Sequence, residues 1–457
     1  MNRLRVLGSW GGLFAAALMM FAWPLAAFAA EGARFAGPVL GGLPLEFLLF
    51  AAVLLCVALF HDHTFGVAVT GAVVIALYKI VFSPFRTGPG LAGFAGHAAH
   101  EWVTLTNLLC LLLGFGVLSR YFEESRVPDK LPNVLPDDWK GGFVLLLMVF
   151  VLSSFLDNIA AAIIGGLVAA HVFRHKVHVG YLAAIVAASN AGGSGSVVGD
   201  TTTTMMWIAG VNPLEVLEAY VASGVALVVC GIPASIQQQR YSPIVRETKE
   251  VAPVDLARVG IVAFILALAI AVNIVVNRGF TQYADAFPFL GVTVWVAIGV
   301  SALVRRPDLS AAADSIKGTV FLLCLVLCAS MMPVDELPPA SWATVLGLGF
   351  VSAVFDNIPL TALAIQQGGY DWGYLAYAVG FGGSMMWFGS SAGVALSNMY
   401  PQARSVGRWL RDGWHVTLAY IVGFAVMLAL VPWLPGVTKA GAPAAHQAAV
   451  RVDSAAH

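Results

Sequence analysis

The fold is decided by two short segments that carry the same polar pair in apolar surroundings, FLDNI at residues 155–159 and VFDNIP at residues 354–359. Each Asp-Asn pair lies at the centre of a long apolar segment, at Asp157 and at Asp356. Irregular backbone at membrane depth survives only where protein or water satisfies its polar groups. The two segments therefore predict interruptions that line an interior site rather than lipid.

The composition predicts an all-α integral membrane protein. Of the 457 residues, 59% are hydrophobic and 11% are charged, with a mean hydropathy of +0.84. Soluble domains carry about 25% charged residues. The net charge is −1 and the basic residues are scattered over short loops, so no nucleic-acid partner is expected. The long apolar runs predict a lipid bilayer as the surroundings. The five cysteines lie in apolar runs without a C-x-x-C pair, so neither a disulfide framework nor a metal cofactor is expected.

Residues 1–30 are typical of a secretory signal peptide. Arg3 and Arg5 precede an apolar stretch, and Ala27-Phe28-Ala29 forms an A-x-A cleavage site. A retained first transmembrane helix is the alternative. Both interpretations place residue 31 on the outer side of the membrane.

The remaining apolar segments fall into continuous and interrupted ones. The continuous segments are 43–60, 64–83, 102–122, 215–236, 258–276, 287–304, 319–334 and 414–433. The interrupted segments are 141–173, 180–210, 340–367 and 373–400. If 141–173 and 340–367 are re-entrant hairpins, the basic loops concentrate on the inner side, as the positive-inside rule requires. Charge alone leaves two short full crossings open for each hairpin.

The same topology predicts an internal repeat. Residues 43–236 and 258–433 each contain five transmembrane spans and one re-entrant hairpin, in the same order. Because five is odd, the second half is inverted relative to the first. Inverted repeats whose broken helices meet at the midplane are typical of secondary transporters. Residues 434–457 are expected to form a flexible outer tail.

The interrupted spans also carry matching sequences. The GGS at 192–194 recurs at 382–384, and Gly199 recurs as Gly389 at the same offset. Glycines allow a helix to open, which frees carbonyl groups to coordinate a cation and amides to bind an anion.

Aligning the two halves at this offset matches Asp200 with Ser390 and Thr201 with Ser391. A carboxylate at the centre of an isolated membrane helix costs about 2.5 kcal/mol or more, so it needs a cation, a proton or hydrogen bonds. A carboxylate that accepts either sodium or a proton would exchange the two in one site. The alternative is that Asp157 and Asp356 only cap the returning helices.

At these residues the sequence resembles the NhaD-type sodium/proton antiporters of the ion transporter superfamily, which also holds citrate, dicarboxylate and arsenite carriers. The resemblance lies in residues 155–158, 189–207, 356–359 and 382–393. It implies an elevator-type carrier, a homodimer, and a multi-pass protein of the bacterial inner membrane. Sodium, or lithium, and protons would be the transported species, without a cofactor. One departure is GSGSVV at 193–198, where AWSPI is expected in the NhaD branch.

The resemblance also implies a set of site residues. They are Asp157, Asn158, Asn190, Asp200, Thr202, Thr203, Asp356, Asn357 and Ser391. The internal register adds Ser390. Sodium itself is expected at Asp157, Asn158 and Asp200.

A sodium-coupled citrate or dicarboxylate carrier, or another anion carrier, is the alternative function. An anion would meet aspartates at both hairpin tips, and no Lys or Arg falls within the interrupted segments. Cation exchange is therefore favoured. An enzyme is not expected, because no Ser-His-Asp order or metal-spaced histidine cluster lies at membrane depth. His97, His100 and Glu101 are expected on an outer loop, and the histidines at 171, 175 and 178 at the inner end of the first hairpin could sense pH.

Overall fold

The computed structural model of the chain describes residues 38–40, 43–60, 63–130, 135–245, 253–280, 283 and 286–436. The signal peptide or first helix predicted at 1–30 lies outside the described residues, as does the expected tail beyond residue 436. A short antiparallel pair of strands, β1 (Val39–Leu40) and β2 (Leu43–Pro44), precedes the helices.

Helices form nearly all of the rest. Those of the first half are α1 Leu45–Leu59, α2 Thr64–Phe82, α3 Gly90–Glu124, α4 Val127–Lys130, α5 Trp139–Ser153, α6 Asn158–Val172, α7 Val179–Ser194, α8 Thr201–Ile208, α9 Pro213–Leu217 and α10 Ala219–Tyr241. Those of the second half are α11 Leu256–Gly279, α12 Phe289–Ser301, α13 Ser310–Ser330, α14 Trp342–Ser352, α15 Asn357–Gln367, α16 Trp372–Gly382, α17 Ser391–Met399, α18 Val406–Asp412 and α19 Trp414–Leu430. Short 3-10 turns lie at Val334–Glu336, Gly383–Met385 and Pro401–Arg404.

Several helices are long and apolar enough to cross a bilayer. Within the described residues there are five: Thr64–Phe82, Gly90–Glu124, Pro213–Tyr241, Leu256–Val276 and Ser310–Ser330. A sixth span forms if α18 and α19, bent by 59° to each other, are taken together. The prediction of an all-α, multi-pass membrane protein is confirmed.

Both Asp-Asn segments interrupt pairs of short helices. The first interruption separates α5 from α6, which have 15 residues each, and the second separates α14 from α15, which have 11 each. At 1.5 Å per residue these helices are only about 22 and about 16 Å long, whereas the hydrocarbon core is about 30 Å thick. None of the four is long enough to cross the membrane alone. Asp138 caps the start of α5 and Ser341 caps the start of α14.

The helices pack as two groups. The first group, here named the scaffold group, contains α1, α2, α3, α11, α12 and α13. The second, the broken-helix group, contains α5 to α10 and α14 to α19. The main contacts between the groups are α13 with α15 and α3 with α8. All four interrupted segments therefore lie in one group.

Within the broken-helix group, matching elements of the two halves exchange partners. Helix α6 of the first half packs against α17 of the second, and α15 of the second half packs against α8 of the first. Helices α7 and α16 contact each other, and so do α10 and α19. Each hairpin therefore contacts the broken helix of the other half.

The expectation that His97, His100 and Glu101 lie on an outer loop is wrong. Helix α3 begins at Gly90, so all three are helical. The His97 side chain is 4% exposed, and its Nε2 lies 2.9 Å from the Ser330 hydroxyl of α13. The sequence obscured this because glycine, alanine and histidine lower the local hydropathy. Those small residues let α3 pack closely against the preceding turn, where a Cβ at Gly93 would overlap the Gly88 carbonyl.

We expect Gly192→Ala to destabilise the protein by about 1–3 kcal/mol, the usual range for overpacking. A Cβ at Gly192 would overlap the carbonyl oxygen of Phe150, where α7 crosses α5. The measurement is the melting temperature of the purified protein in detergent.

Gly299→Ala in α12 is the matched control, because no described atom lies within 4 Å of a Cβ built there. Its melting temperature should be unchanged or raised, since alanine is the better helix former. Equal melting temperatures for the two variants would contradict the close crossing of α5 and α7.

Candidate functional site

Four helix N-termini of the broken-helix group begin at the predicted site residues. Asp157 is the N-cap of α6 with φ, ψ of −53°, 139°, and Asp356 is the N-cap of α15 with −52°, 139°. Asp200 is the N-cap of α8 with −141°, 145°, and Ser390 is the N-cap of α17 with −142°, 153°. The residues matched by sequence offset thus have matching backbone conformations in the two halves.

The three aspartates differ in how many of their carboxylate oxygens accept hydrogen bonds. Oδ1 of Asp200 accepts a hydrogen bond from the Thr202 amide at 3.1 Å. Its Oδ2 is buried without a hydrogen-bond partner among the described residues, and the whole residue is 2% exposed. Asp356 begins α15, which packs against the helix α8 that Asp200 begins. The site therefore concentrates negative charge around one uncommitted oxygen.

The other two aspartates show how far the capping interpretation extends. Asp356 accepts from the Ile358 amide at 3.0 Å and from the Ser391 hydroxyl at 3.4 Å. Asp157 occupies the same N-cap position, where the backbone amides of Asn158 and Ile159 act on its carboxylate. Capping accounts for the position of all three aspartates, and in Asp356 both carboxylate oxygens accept hydrogen bonds.

Asn190 joins the two halves of the chain through its side chain. Its Oδ1 accepts from the Asn158 amide nitrogen at 3.1 Å. Its Nδ2 donates to the hydroxyls of Ser384 at 2.9 Å and Ser390 at 3.0 Å. Asn190 is fully buried. The structure thus brings together Asn158, Asn190 and Ser390, which the sequence predicted, with Ser384, which it missed although Ser384 ends the second GGS segment.

The two predicted threonines, Thr202 and Thr203, differ in whether their hydroxyl groups are engaged in hydrogen bonds. The Thr203 hydroxyl donates to the Ser196 carbonyl at 2.6 Å and is within 2.9 Å of the Asp200 carbonyl, so it holds the loop before α8. The Thr202 hydroxyl is buried beside the Asp200 carboxylate and makes no regular hydrogen bond within the described residues. Asn357 also has a buried, unpartnered Nδ2 there. Thr202 and Asn357 therefore keep polar atoms available, whereas the Thr203 proton is already donated.

Close backbone contacts fix the breaks in the helices. A Cβ at Gly193 would lie 2.7 Å from the Gly199 carbonyl, and one at Gly383 would lie 2.7 Å from the Gly389 carbonyl. Glycine is required there because any side chain would displace the chain that leads to the N-cap residue. Tyr220 adds a contact that the sequence did not indicate, because its hydroxyl donates to the Gly192 carbonyl at 3.1 Å.

The donor set limits what the site could hold. In the part of the chain that the structure describes, no group of three or more His, Cys, Asp or Glu side chains is arranged to hold a metal ion. A cation would therefore be bound by a few carboxylate oxygens together with neutral amide and hydroxyl oxygens. Oxygen ligands suit hard cations, and a small number of charges suits a cation that must also leave.

No protein-family model matches the chain. It is similar to Sodium/proton antiporter 1 of Arabidopsis thaliana, with 28% identity over 66% of this chain and 58% of that relative. It is also similar to the Na(+)/H(+) antiporters NhaD of Halomonas elongata, with 25% identity over 71% of this chain and 75% of the relative, and of Alkalimonas amylolytica, with 27% identity over 73% and 78%. The chain thus spans less than two thirds of the Arabidopsis relative. The resemblance to NhaD-type antiporters, which are transporters rather than enzymes, is confirmed.

We expect Asn190→Ala to lower the free energy of unfolding by about 1–3 kcal/mol, because buried hydrogen-bonding groups on Asn158, Ser384 and Ser390 lose a partner. The measurement is thermal unfolding in detergent. The control is Asn398→Ala, which removes an exposed amide bonded to Arg404 and should change stability by less than about 0.5 kcal/mol. Equal losses in the two variants would contradict a shared role for Asn190.

Proposed function

We propose that this chain, like the NhaD-type antiporters it resembles, is a secondary active transporter that exchanges sodium or lithium for protons. The observation that carries the proposal is Asp200, a buried carboxylate with one uncommitted oxygen beside two further aspartates and several neutral oxygens. We further propose that it resides in a bacterial inner membrane.

The proposed exchange follows from the cost of burying a charge. An ionised carboxylate in an apolar interior must be neutralised by a cation or by a proton. Asp157 and Asp356 add negative charge around Asp200, which strengthens the demand for one of the two. Sodium and a proton then compete for the same oxygen atoms, and their competition couples the two movements. Asn158 and Thr202 would supply neutral oxygens that replace part of the water around sodium.

The proposed cycle is of the elevator type, in which the broken-helix group moves relative to the scaffold group. The paired packing of α6 with α17 and of α15 with α8 supports this, because it is what two inverted repeats sharing one site would produce. The shortness of the hairpin helices supports their re-entrant course. The proposal includes a homodimer, as the resemblance implies.

A sodium-coupled citrate or dicarboxylate carrier is the second candidate. One observation favours it: the N-termini of α6, α8, α15 and α17 are the ends of helices that attract anions. Against it, an aspartate occupies three of these four N-termini. Cation exchange is the better account, because an anionic substrate would meet carboxylates at the same positions.

We expect Asp157→Asn and Asp200→Asn each to abolish proton movement driven by sodium or lithium. Asparagine keeps the size and the N-cap function of aspartate but removes the exchangeable charge. The measurement is dequenching of a pH-sensitive dye in everted membrane vesicles.

Asp314→Asn, which changes an exposed aspartate of α13, is the control and should transport like the wild type. Wild-type dequenching in the Asp200 variant would refute the site. A wild-type protein that shows no cation-driven signal but accumulates labelled citrate would support the anion carrier.

Asp356→Asn should have a smaller effect than Asp200→Asn. The Asp356 carboxylate already accepts hydrogen bonds from the Ile358 amide and the Ser391 hydroxyl, and an asparagine oxygen can accept the first of these. We therefore expect a several-fold higher KM for sodium with transport retained. The measurement is the sodium dependence of dye dequenching, and complete loss of transport at saturating sodium would contradict the prediction.

A further inference from the structure

A charged cleft of about 570 Å³ opens on the broken-helix group at the N-terminal end of α7. Helix α7 has 16 residues, so the cleft lies about 24 Å along the helix from the break at Gly195. Its lining comes from the link between α6 and α7, the end of α10, the turn after α17, and α18. The lining residues that carry charge or hydrogen-bonding groups are His175, Lys176, His178, Tyr241, Gln402, Arg408, Arg411 and Asp412.

The cleft carries an excess of positive charge. Arg411 pairs with Asp412 at 2.8 Å, which leaves Lys176 and Arg408 without an ion-pair partner among the described residues. Burial lowers the pKa of His178, with Asp412 opposing and Arg411 adding to the effect. Its Nδ1 accepts the Gly180 amide, which requires the unprotonated nitrogen. The excess positive charge therefore comes from Lys176 and Arg408.

The local backbone conformation positions Lys176 and Arg408 in the lining of the cleft. Helix α6 ends with a hydrogen bond from the His175 amide to the Ala170 carbonyl at 2.7 Å. Arg174 and His175 both have positive φ, of 51° and 61°, a conformation that is unfavourable for residues other than glycine. The chain thus turns sharply before Lys176. In α18, which also lines the cleft, the buried Trp409 donates to the Ser384 carbonyl at 3.2 Å, and the neighbouring Arg408 remains exposed.

We propose that this cleft binds a phosphate group, held by Lys176 and Arg408 and assisted by the donors of Gln402 and Arg411. Guanidinium and ammonium groups are the usual protein partners of phosphate oxygens. The volume lies within the range of small-molecule sites. The re-entrant topology expected from the sequence puts both basic segments on the inner side, where anionic phospholipids are concentrated. The phosphate could belong to such a lipid or to a soluble anion.

The test uses the purified full-length protein in a neutral maltoside detergent. Its melting temperature is measured during titration with sodium phosphate, against sodium chloride at equal ionic strength, and with phosphatidylglycerol, against phosphatidylcholine with the same acyl chains. The test variant combines Lys176→Gln and Arg408→Gln. Its counterpart, with Lys176→Arg and Arg408→Lys, keeps both charges. Arg306→Gln removes an exposed cation of the scaffold group and is the matched control.

We expect the wild type, the charge-keeping variant and the Arg306 variant to be stabilised at similar ligand concentrations. The Gln pair should need about 25-fold more ligand, from about fivefold for each basic residue removed. Stabilisation by sodium phosphate assigns a soluble anion, and stabilisation by phosphatidylglycerol alone assigns a lipid headgroup; both support the cleft. No stabilisation of the wild type by either ligand, or an equal response of the Gln pair, would overturn the proposal. The melting temperature of the Gln pair without ligand checks that it is folded.

Discussion

The constraint on which the rest of the structure depends is the burial of Asp200 with one carboxylate oxygen unpaired. A buried carboxylate is stable only if the surrounding elements supply dipoles or a compensating charge. The chain meets this demand by ending helices instead of continuing them. Four helices of the broken-helix group begin at the matched polar positions, and the Asn158 and Asn190 side chains connect the N-terminus of α6 to that of α17. The short hairpin helices and the glycine breaks are the means by which an apolar chain builds a polar centre.

The two halves have the same backbone conformation at their matched N-caps but carry different side chains there. Asp200 and Ser390 have nearly equal φ and ψ values at equivalent N-caps, yet only Asp200 brings a charge. Asp157 and Asp356 are equivalent in backbone too, but the Ser391 hydroxyl occupies one oxygen of Asp356. The matched N-caps of the two halves therefore share a backbone conformation but differ in charge, and the carboxylate with the unpaired oxygen lies in the first half.

Much of this arrangement could be predicted from the residues alone. The repeated Asp-Asn and GGS segments predicted where the helices stop, and the common offset correctly paired Asp200 with Ser390. The sequence could not show which polar atoms remain free, because this depends on contacts between distant residues. Tyr220 reaches the Gly192 carbonyl, and His97 reaches Ser330 across 233 positions, without any local signal in the sequence. Hydropathy also misplaced His97, since small residues make a closely packed helix look like a loop.

The glycine contacts at the breaks have a mechanical consequence. Gly192 and Gly199 lie against the backbone of α5, and Gly382 and Gly389 lie against the backbone of α14 and the residue that follows it. At these four glycines backbone packs directly on backbone, so sliding of either helix past its neighbour would bring main-chain atoms into overlap. These contacts tie α5 to the break between α7 and α8, and α14 to the break between α16 and α17. The main contacts between the two groups are instead those of α13 with α15 and of α3 with α8.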